Sequence, residues 1–261
     1  MFAKFKLSLL SQLKKYINVS KIMRKMAFLS RKLTEKIHRM QYLVEWSVDN
    51  PEHFDHYMDL HFQWKKTRHS FPMERGVFSS YALKGMHENN KGLTLDLCCG
   101  DGFYTYYFYS LNSVKVIGMD FDPLAIWSAK KYNKADNVEF ILGDIRKDIP
   151  SGPFDNVIWD AAIEHFTADE IVQIMQNIKK SLTKEGILSG YTIQEKKHGK
   201  HLHQHEYEFH DKEDLSNFLK PYFKNIQILQ TNFSQRINYY FFASDGELPF
   251  SNQKIFNISS S

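Results

Sequence analysis

At 261 residues, with 43% hydrophobic and 25% charged side chains, the chain has an ordinary globular composition, long enough for one domain of moderate size plus an extension. The net charge of +4 hides an asymmetry: residues 1–40 carry eleven Lys/Arg against one acid, Glu35, and the remaining 23 bases and 29 acids leave the body at −6. No stretch approaches the ~20 apolar residues of a membrane span, and the apolar run 7–10, broken by Ser8, is too short for a secretory signal. The two cysteines, Cys98 and Cys99, are adjacent, a spacing that rarely makes an unstrained disulfide. A cytoplasmic protein is expected. Its basic arm is open to contact with the inner membrane surface, a nucleic acid or an acidic partner, or to a plain solvated helix face.

In chain order, residues 1–50 read as a basic amphipathic helical extension. Ile22, Met26, Leu29, Leu33, Ile37 and Met40 recur at three- and four-residue steps, and Asp49-Asn50-Pro51 ends the pattern. Residues 51–92 read as a helical lid or cap segment that mixes Phe62, Trp64, Arg68, His69, Arg75 and Phe78, with Pro72 opening a helix at its first turn. From there strands are expected at 93–97, 114–119, 138–142, 154–159, 187–193, 225–230 and 238–243. Helices are expected from Phe103, over 123–134, over 168–182 with a closing turn at Lys184-Glu185-Gly186, and up to Leu219 from a cap at Asp211. This alternation over 93–250 predicts an α/β, doubly wound, mostly parallel seven-stranded sheet. Ligands of such sheets bind at the carboxyl ends of the strands, near the switch point.

The first strand ends Asp96-Leu97-Cys98-Cys99-Gly100-Asp101-Gly102-Phe103. Glycines allow the backbone angles and close approach that such a turn needs. A dinucleotide fingerprint is incomplete, because Thr105 stands where its last Gly or Ala belongs. Asp101 inside the turn would also repel a pyrophosphate, and a cationic ligand suits it better. The stretch resembles motif I of the class I S-adenosylmethionine-dependent methyltransferases, with Asp96, Gly100 and Gly102 matching and Cys98 replacing the usual first glycine.

The resemblance, strongest over 93–193, implies the Rossmann-like methyltransferase fold, S-adenosylmethionine as cofactor and S-adenosylhomocysteine as product. It implies that Asp96 and the Gly100 backbone hold the methionine end and that Asp120 binds the ribose hydroxyls. Phe121 is implied to lie against adenine, Asp144 with Ile145 beside it to meet the adenine amine, and Asp160 to face the methionine moiety and the reacting methyl. A lone Asp is as often a cap or turn residue. These four acids stand at four successive strand ends.

For chemistry, His165 is the candidate general base, with Asp160 and Tyr191 as further catalytic candidates. The alternative is that Glu164-His165 merely shapes the pocket. His201, His203 and His205 alternate, so an extended segment would put them on one face. They suit a phosphoryl group or a metal, or form a solvated loop, and no metal is assigned. Trp64, Arg68, Arg75, His203 and His205 are the candidate acceptor-binding residues, the arginines as anion clamps or as surface charges.

The fourth strand ends Trp159-Asp160-Ala161-Ala162, unlike the Asn-Pro-Pro-Tyr type signature of nucleobase amino methyltransferases, so nucleic acid is not the favoured partner. Gly190-Tyr191-Thr192 and the run Tyr239-Tyr240-Phe241-Phe242-Ala243-Ser244 resemble bacterial small-molecule and sugar-pathway methyltransferases. The resemblance implies a small polar acceptor, methylated at an oxygen of a phosphorylated or surface-glycan type metabolite. The alternatives are an RNA methyltransferase tethered by the basic arm, a non-catalytic binding or scaffold protein, and an NAD-dependent enzyme.

Overall fold

The computed structural model describes residues 19–47, 71–84, 91–196, 198–201, 204–233 and 236–248. The chain divides into two compact units, Met1–Pro51 and Glu52–Ser261. In the first, helix α1 runs Val19–Ser47. Its stripe residues Ile22, Met26, Leu29, Leu33, Ile37 and Met40 are all exposed. No helix of the described residues is long and apolar enough to cross a membrane.

In the second unit, helix α2 (Phe71–Tyr81) precedes strand β1 (Gly92–Leu97), with Pro72 in the first turn of the helix. Then come β2 (Ser113–Asp120), α3 (Pro123–Tyr132), β3 (Val138–Leu142), β4 (Phe154–Asp160), α4 (Ala168–Ser181), β5 (Leu182–Ile193), α5 (Lys212–Leu219), β6 (Asn225–Phe233) and β7 (Arg236–Ser244). The seven strands form one sheet in the order β3-β2-β1-β4-β5-β7-β6. Among the described strands, β7 runs opposite to the other six. This is the doubly wound, mostly parallel sheet that the alternation predicts. The order reverses between β1 and β4, which opens the crevice where such sheets take ligands.

Capping residues set the helix starts. Asp122 accepts from the Leu124 amide ahead of α3, Asp211 accepts from the Asp214 amide ahead of α5, and Thr167 with Glu170 forms a reciprocal capping box at α4. The face of α4 that carries Ile171, Ile174, Met175 and Ile178 is buried with Leu95, Val157, Trp159 and Leu188 of the central strands and with Leu215 and Leu219 of α5. These strands are apolar on both faces because helices cover both.

Two elements depart from expectation. Strand β5 begins at Leu182, inside what reads as the end of the preceding helix and ahead of the expected turn. Leu182 pairs with Phe154 and Ile187 with Asn156, so the intervening residues that read as a closing turn form an irregularity within the strand. The helix expected from Phe103 is a short wide turn instead. Thr105–Tyr109 is π-helical, closed by the Ser110 amide bonding to the Thr105 carbonyl, and a single 3-10 turn (Ser110–Asn112) follows. Such wide turns recur at functional sites. Here the turn carries the Thr105 hydroxyl to Asp96.

Candidate active site

The carboxyl ends of β1, β2 and β4 bring Asp96, Asp120 and Asp160 to one edge of the sheet. Asp96 pairs in register with Gly118 and Ile158, Asp120 with Leu142, and Asp160 with Tyr191. The turn after β1 holds Cys98, Gly100 and Gly102 at φ of 58°, 56° and 73°, the left-handed region that glycine enters freely and cysteine does not. A Cβ on Gly102 would lie 2.4 Å from Phe140 Cζ and 3.1 Å from Ala129 Cβ. Gly102→Ala is therefore expected to cost about 2–4 kcal/mol of stability, from strain and overpacking together. Urea unfolding measures it, and a loss under ~0.5 kcal/mol would mean the turn relaxes freely.

Backbone donors fix this turn. The Gly100 amide donates to Asp120 Oδ2 at 2.8 Å, the Asp122 amide to Asp120 Oδ1 at 2.9 Å, and the Phe103 amide to Asp101 Oδ1 at 3.0 Å. Asp101 is thus a buried turn acid that serves the helix start. The Thr105 hydroxyl donates to Asp96 Oδ2 at 2.5 Å. Burial, reinforced by the charges of Asp160 and Asp120, raises the Asp96 carboxyl to about 8, against the pull of Thr105 and Arg75. Burial also raises Asp120 and both thiols, Cys98 and Cys99.

Asp160 accepts from Arg75 of α2, through Nε at 2.9 Å and a second guanidinium nitrogen at 2.8 Å. The guanidinium also lies 4.4 Å from the Tyr104 ring centre and 5.2 Å from that of Tyr191. Arg75 thereby joins α2 to the end of β4. The Tyr191 hydroxyl donates to Asn238 Oδ1 at 3.2 Å and accepts from Arg236, and burial raises its pKa.

Beyond β2, Phe121 is exposed. Beyond β3, both oxygens of Asp144 accept from Arg146, at 2.9 and 2.8 Å, and that pairing holds its carboxyl below the ordinary range. Ile145 is buried in the main core. S-adenosylmethionine, implied by the motif, fits these residues. The positive-φ turn lets the backbone come close, clustered carboxylates suit a cation, and Asp120, with two acceptors engaged, keeps lone pairs for a diol.

After β4, the 3-10 turn Ile163–His165 buries Glu164, whose Oε2 accepts from the Thr192 hydroxyl at 3.0 Å. The His165 and His205 rings meet edge to face, with centres 4.9 Å apart. His205 is buried, its Nδ1 paired with Glu208, and burial lowers its pKa to about 4.

Among the described residues after β5, His201 and His205 do not lie in a strand. The described residues of this segment form bends and an isolated bridge between Gln194 and Phe209. His201 Nε2 faces the Gln194 carbonyl at 2.9 Å, while His205 turns to Glu208. Trp64, Arg68 and His203 lie outside the described residues. The residues that sequence reading passes over are Tyr104, Thr105, Glu208, Arg236 and Asn238. Of these only Thr105, inside the motif, carries a local signal.

A family profile described as a methyltransferase domain matches residues 88–246. Ribosomal protein L11 methyltransferase of Clostridium perfringens (strain SM101 / Type A) is 32% identical over 95 residues, which span 35% of this chain and only 28% of that protein. The N-methyltransferase NodS from Bradyrhizobium japonicum WM9 shares the fold at a TM-score of 0.56 and 14% identity, covering 68% of this chain and 97% of that one. The 1,6-didemethyltoxoflavin-N1-methyltransferase of Burkholderia thailandensis, solved with 1,6-didemethyltoxoflavin and S-adenosylhomocysteine bound, does so at 0.54 and 16%, covering 77% and 94%. With its seven-stranded sheet and this match over more than half its length, the chain belongs to the methyltransferase-domain family.

Proposed function

We propose that the protein transfers a methyl group from S-adenosylmethionine to an oxygen of a small polar acceptor of the phosphorylated or sugar type. One observation carries the reading: Asp96, Asp120 and Asp160 converge at the carboxyl ends of β1, β2 and β4, on a turn already shaped for close ligand approach. The cofactor supplies an electrophilic methyl on a positively charged sulfur. In this reading Asp96 meets the ammonium group of its methionine end, Asp120 takes the ribose hydroxyls, and Phe121 offers an aromatic face to adenine. Asp144 receives the adenine amine once Arg146 yields an oxygen. Arg75 keeps Asp160 in place, and Tyr191 stays protonated as a wall and hydrogen-bond partner.

The acceptor then lies over β4 and β5, where α2 and residues 204–208 close in. The Glu206 and Tyr207 amides both bond to the Glu164 carbonyl, at 2.8 and 3.1 Å. A small-molecule acceptor is supported by the Burkholderia relative, which was solved with one bound. The surface-glycan assignment rests on the sequence resemblance alone. The test is methyl transfer monitored by mass spectrometry across phosphorylated and unphosphorylated sugars. A product 14 mass units heavier supports the reading, and turnover only on RNA or protein would replace it. The basic arm and exposed apolar stripe of α1 favour one second reading, an RNA substrate tethered electrostatically. It requires salt-dependent RNA binding that deletion of residues 1–40 abolishes.

The raised Asp96 carboxyl gives a pH signature. Free protein keeps a proton there up to about pH 8, and the bound ammonium group requires the carboxylate. Binding therefore releases a proton, and affinity for S-adenosylhomocysteine rises by roughly tenfold per pH unit between about 6 and 7.5. It levels off near 8, where the Asp96 carboxyl is already ionised in the free protein. Calorimetry in buffers of different ionisation enthalpy reads the proton directly, and Asp96→Asn should flatten the profile. A flat wild-type profile would remove Asp96 from the ammonium site. The same shift has a sign for folding: the unliganded protein holds this proton more tightly than the unfolded chain, so the contribution from Asp96 falls as pH rises from 3.8 towards about 8.

A further inference from the structure

We propose that Glu164, His165 and His205 form a site for one divalent transition-metal ion of the zinc class, placed at the acceptor side of the β4 and β5 ends. One ligand atom from each of these three residues lies within 4.8 Å of the other two. A tetrahedral ion with ligands at about 2.0–2.1 Å needs them about 3.4 Å apart, so modest side-chain rotation closes the set. Two imidazoles and a carboxylate, with no thiolate, select zinc and its borderline neighbours over magnesium or calcium.

The surroundings are those of a ligand set. His165 Nδ1 faces the Gln204 carbonyl at 3.4 Å, and His205 Nδ1 is held by Glu208. Both rings therefore keep Nε2 for an ion, and carboxylate or carbonyl partners behind metal-bound histidines are the usual orienting device. Glu164 Oε2 is fixed by the Thr192 hydroxyl, which leaves Oε1. Glu208 is itself anchored, accepting from the His201 amide at 2.6 Å, and its second oxygen is buried without a hydrogen-bond partner. Two buried carboxylates, Glu164 and Glu208, thus flank the imidazole pair. Lys200 reaches only the carbonyls of His205 and Glu206. Arg236 is near enough to act electrostatically on His205, and a divalent ion would add positive charge among the two carboxylates and the two imidazoles themselves.

Three protein ligands leave a coordination position open, the pattern of a catalytic and not a structural ion. The class of acceptor it would take is one with a hydroxyl or phosphate oxygen. That assignment rests on the methyltransferase reading above; binding of the ion does not.

The experiment uses the full chain, stripped with chelator and titrated with Zn2+ and with Co2+ in the absence of acceptor, alongside a separate S-adenosylhomocysteine titration. One Co2+ per chain is expected, with the visible absorption of a low-coordinate nitrogen/oxygen site that Zn2+ erases. His205→Ala and Glu164→Gln should weaken Co2+ binding at least a hundredfold and Glu208→Gln by about 10–100-fold. His210→Ala, an exposed residue paired with Glu195, should leave it unchanged. Zinc-edge X-ray absorption of the wild-type protein reads the ligation without any variant and should show two imidazoles. No bound metal, or Co2+ binding that His205→Ala leaves intact, overturns the site. Metal binding without S-adenosylhomocysteine binding would sustain it and sink the methyltransferase reading instead.

Discussion

Replacing Asp120 with alanine is expected to weaken S-adenosylhomocysteine binding by about two to three orders of magnitude, roughly 3–4 kcal/mol. The carboxylate is 6% exposed and does two jobs at once. It accepts the Gly100 and Asp122 amides, fixing the turn after β1 against the end of β2. In the proposed complex its remaining lone pairs take both ribose hydroxyls. Alanine strands two backbone donors and removes both ligand contacts, each loss worth about 1–3 kcal/mol. Asp120→Asn keeps the shape and one acceptor oxygen, so a loss of only about tenfold is expected. Calorimetric titration of the three proteins decides it. A change below threefold in the alanine variant would place the ribose elsewhere.

The second large effect concerns stability. Arg75→Ala is expected to destabilise the protein by about 3–5 kcal/mol, because it removes the guanidinium paired with the buried Asp160 carboxylate. It also removes a guanidinium packed between Tyr104 and Tyr191. At roughly 2–4 °C per kcal/mol for a chain of this size, thermal unfolding should fall by about 10 °C. Arg75→Met combined with Asp160→Asn should recover most of the loss, since it removes both charges and keeps the volume. If Arg75→Ala unfolds like wild type, the pair is marginal to the fold and Arg75 is free to serve the acceptor.

The pairing of Arg75 with Asp160 also shows where sequence reading stops. The strands were legible because apolar runs broken by glycine and acidic turns have a short period, and β3 falls on the expected residues. The acids at strand ends were legible for the same reason: a motif and its strand are neighbours in sequence. Arg75 and Asp160 are 85 residues apart, and nothing near Arg75 distinguishes an arginine that clamps a ligand from one that neutralises a buried acid. The histidines fail in the same way. Their alternation promised a shared face, but His205 pairs with Glu208 and sets its ring against that of His165, forty residues earlier, a contact that no local pattern announces. Strand β5 shows the boundary problem, since Lys184-Glu185-Gly186 has the chemistry of a turn and sits inside the strand as an irregularity. The wide turn at Thr105–Tyr109 arises from a Tyr/Phe-rich run whose helical class is not written in its composition.

The bonds from Gly100 and Asp122 to Asp120, and from Phe103 to Asp101, run within the chain and need no ligand atom to complete them. A turn held by its own chain pays for its ordering on folding rather than on binding. In kinetic terms, arrival does not wait for the turn to order. Association rates then vary little among nucleosides that carry the same ribose and adenine, and affinity differences between them lie in residence time. A product that left the turn intact would leave slowly for the same reason, which makes departure of S-adenosylhomocysteine a natural place for turnover to be limited.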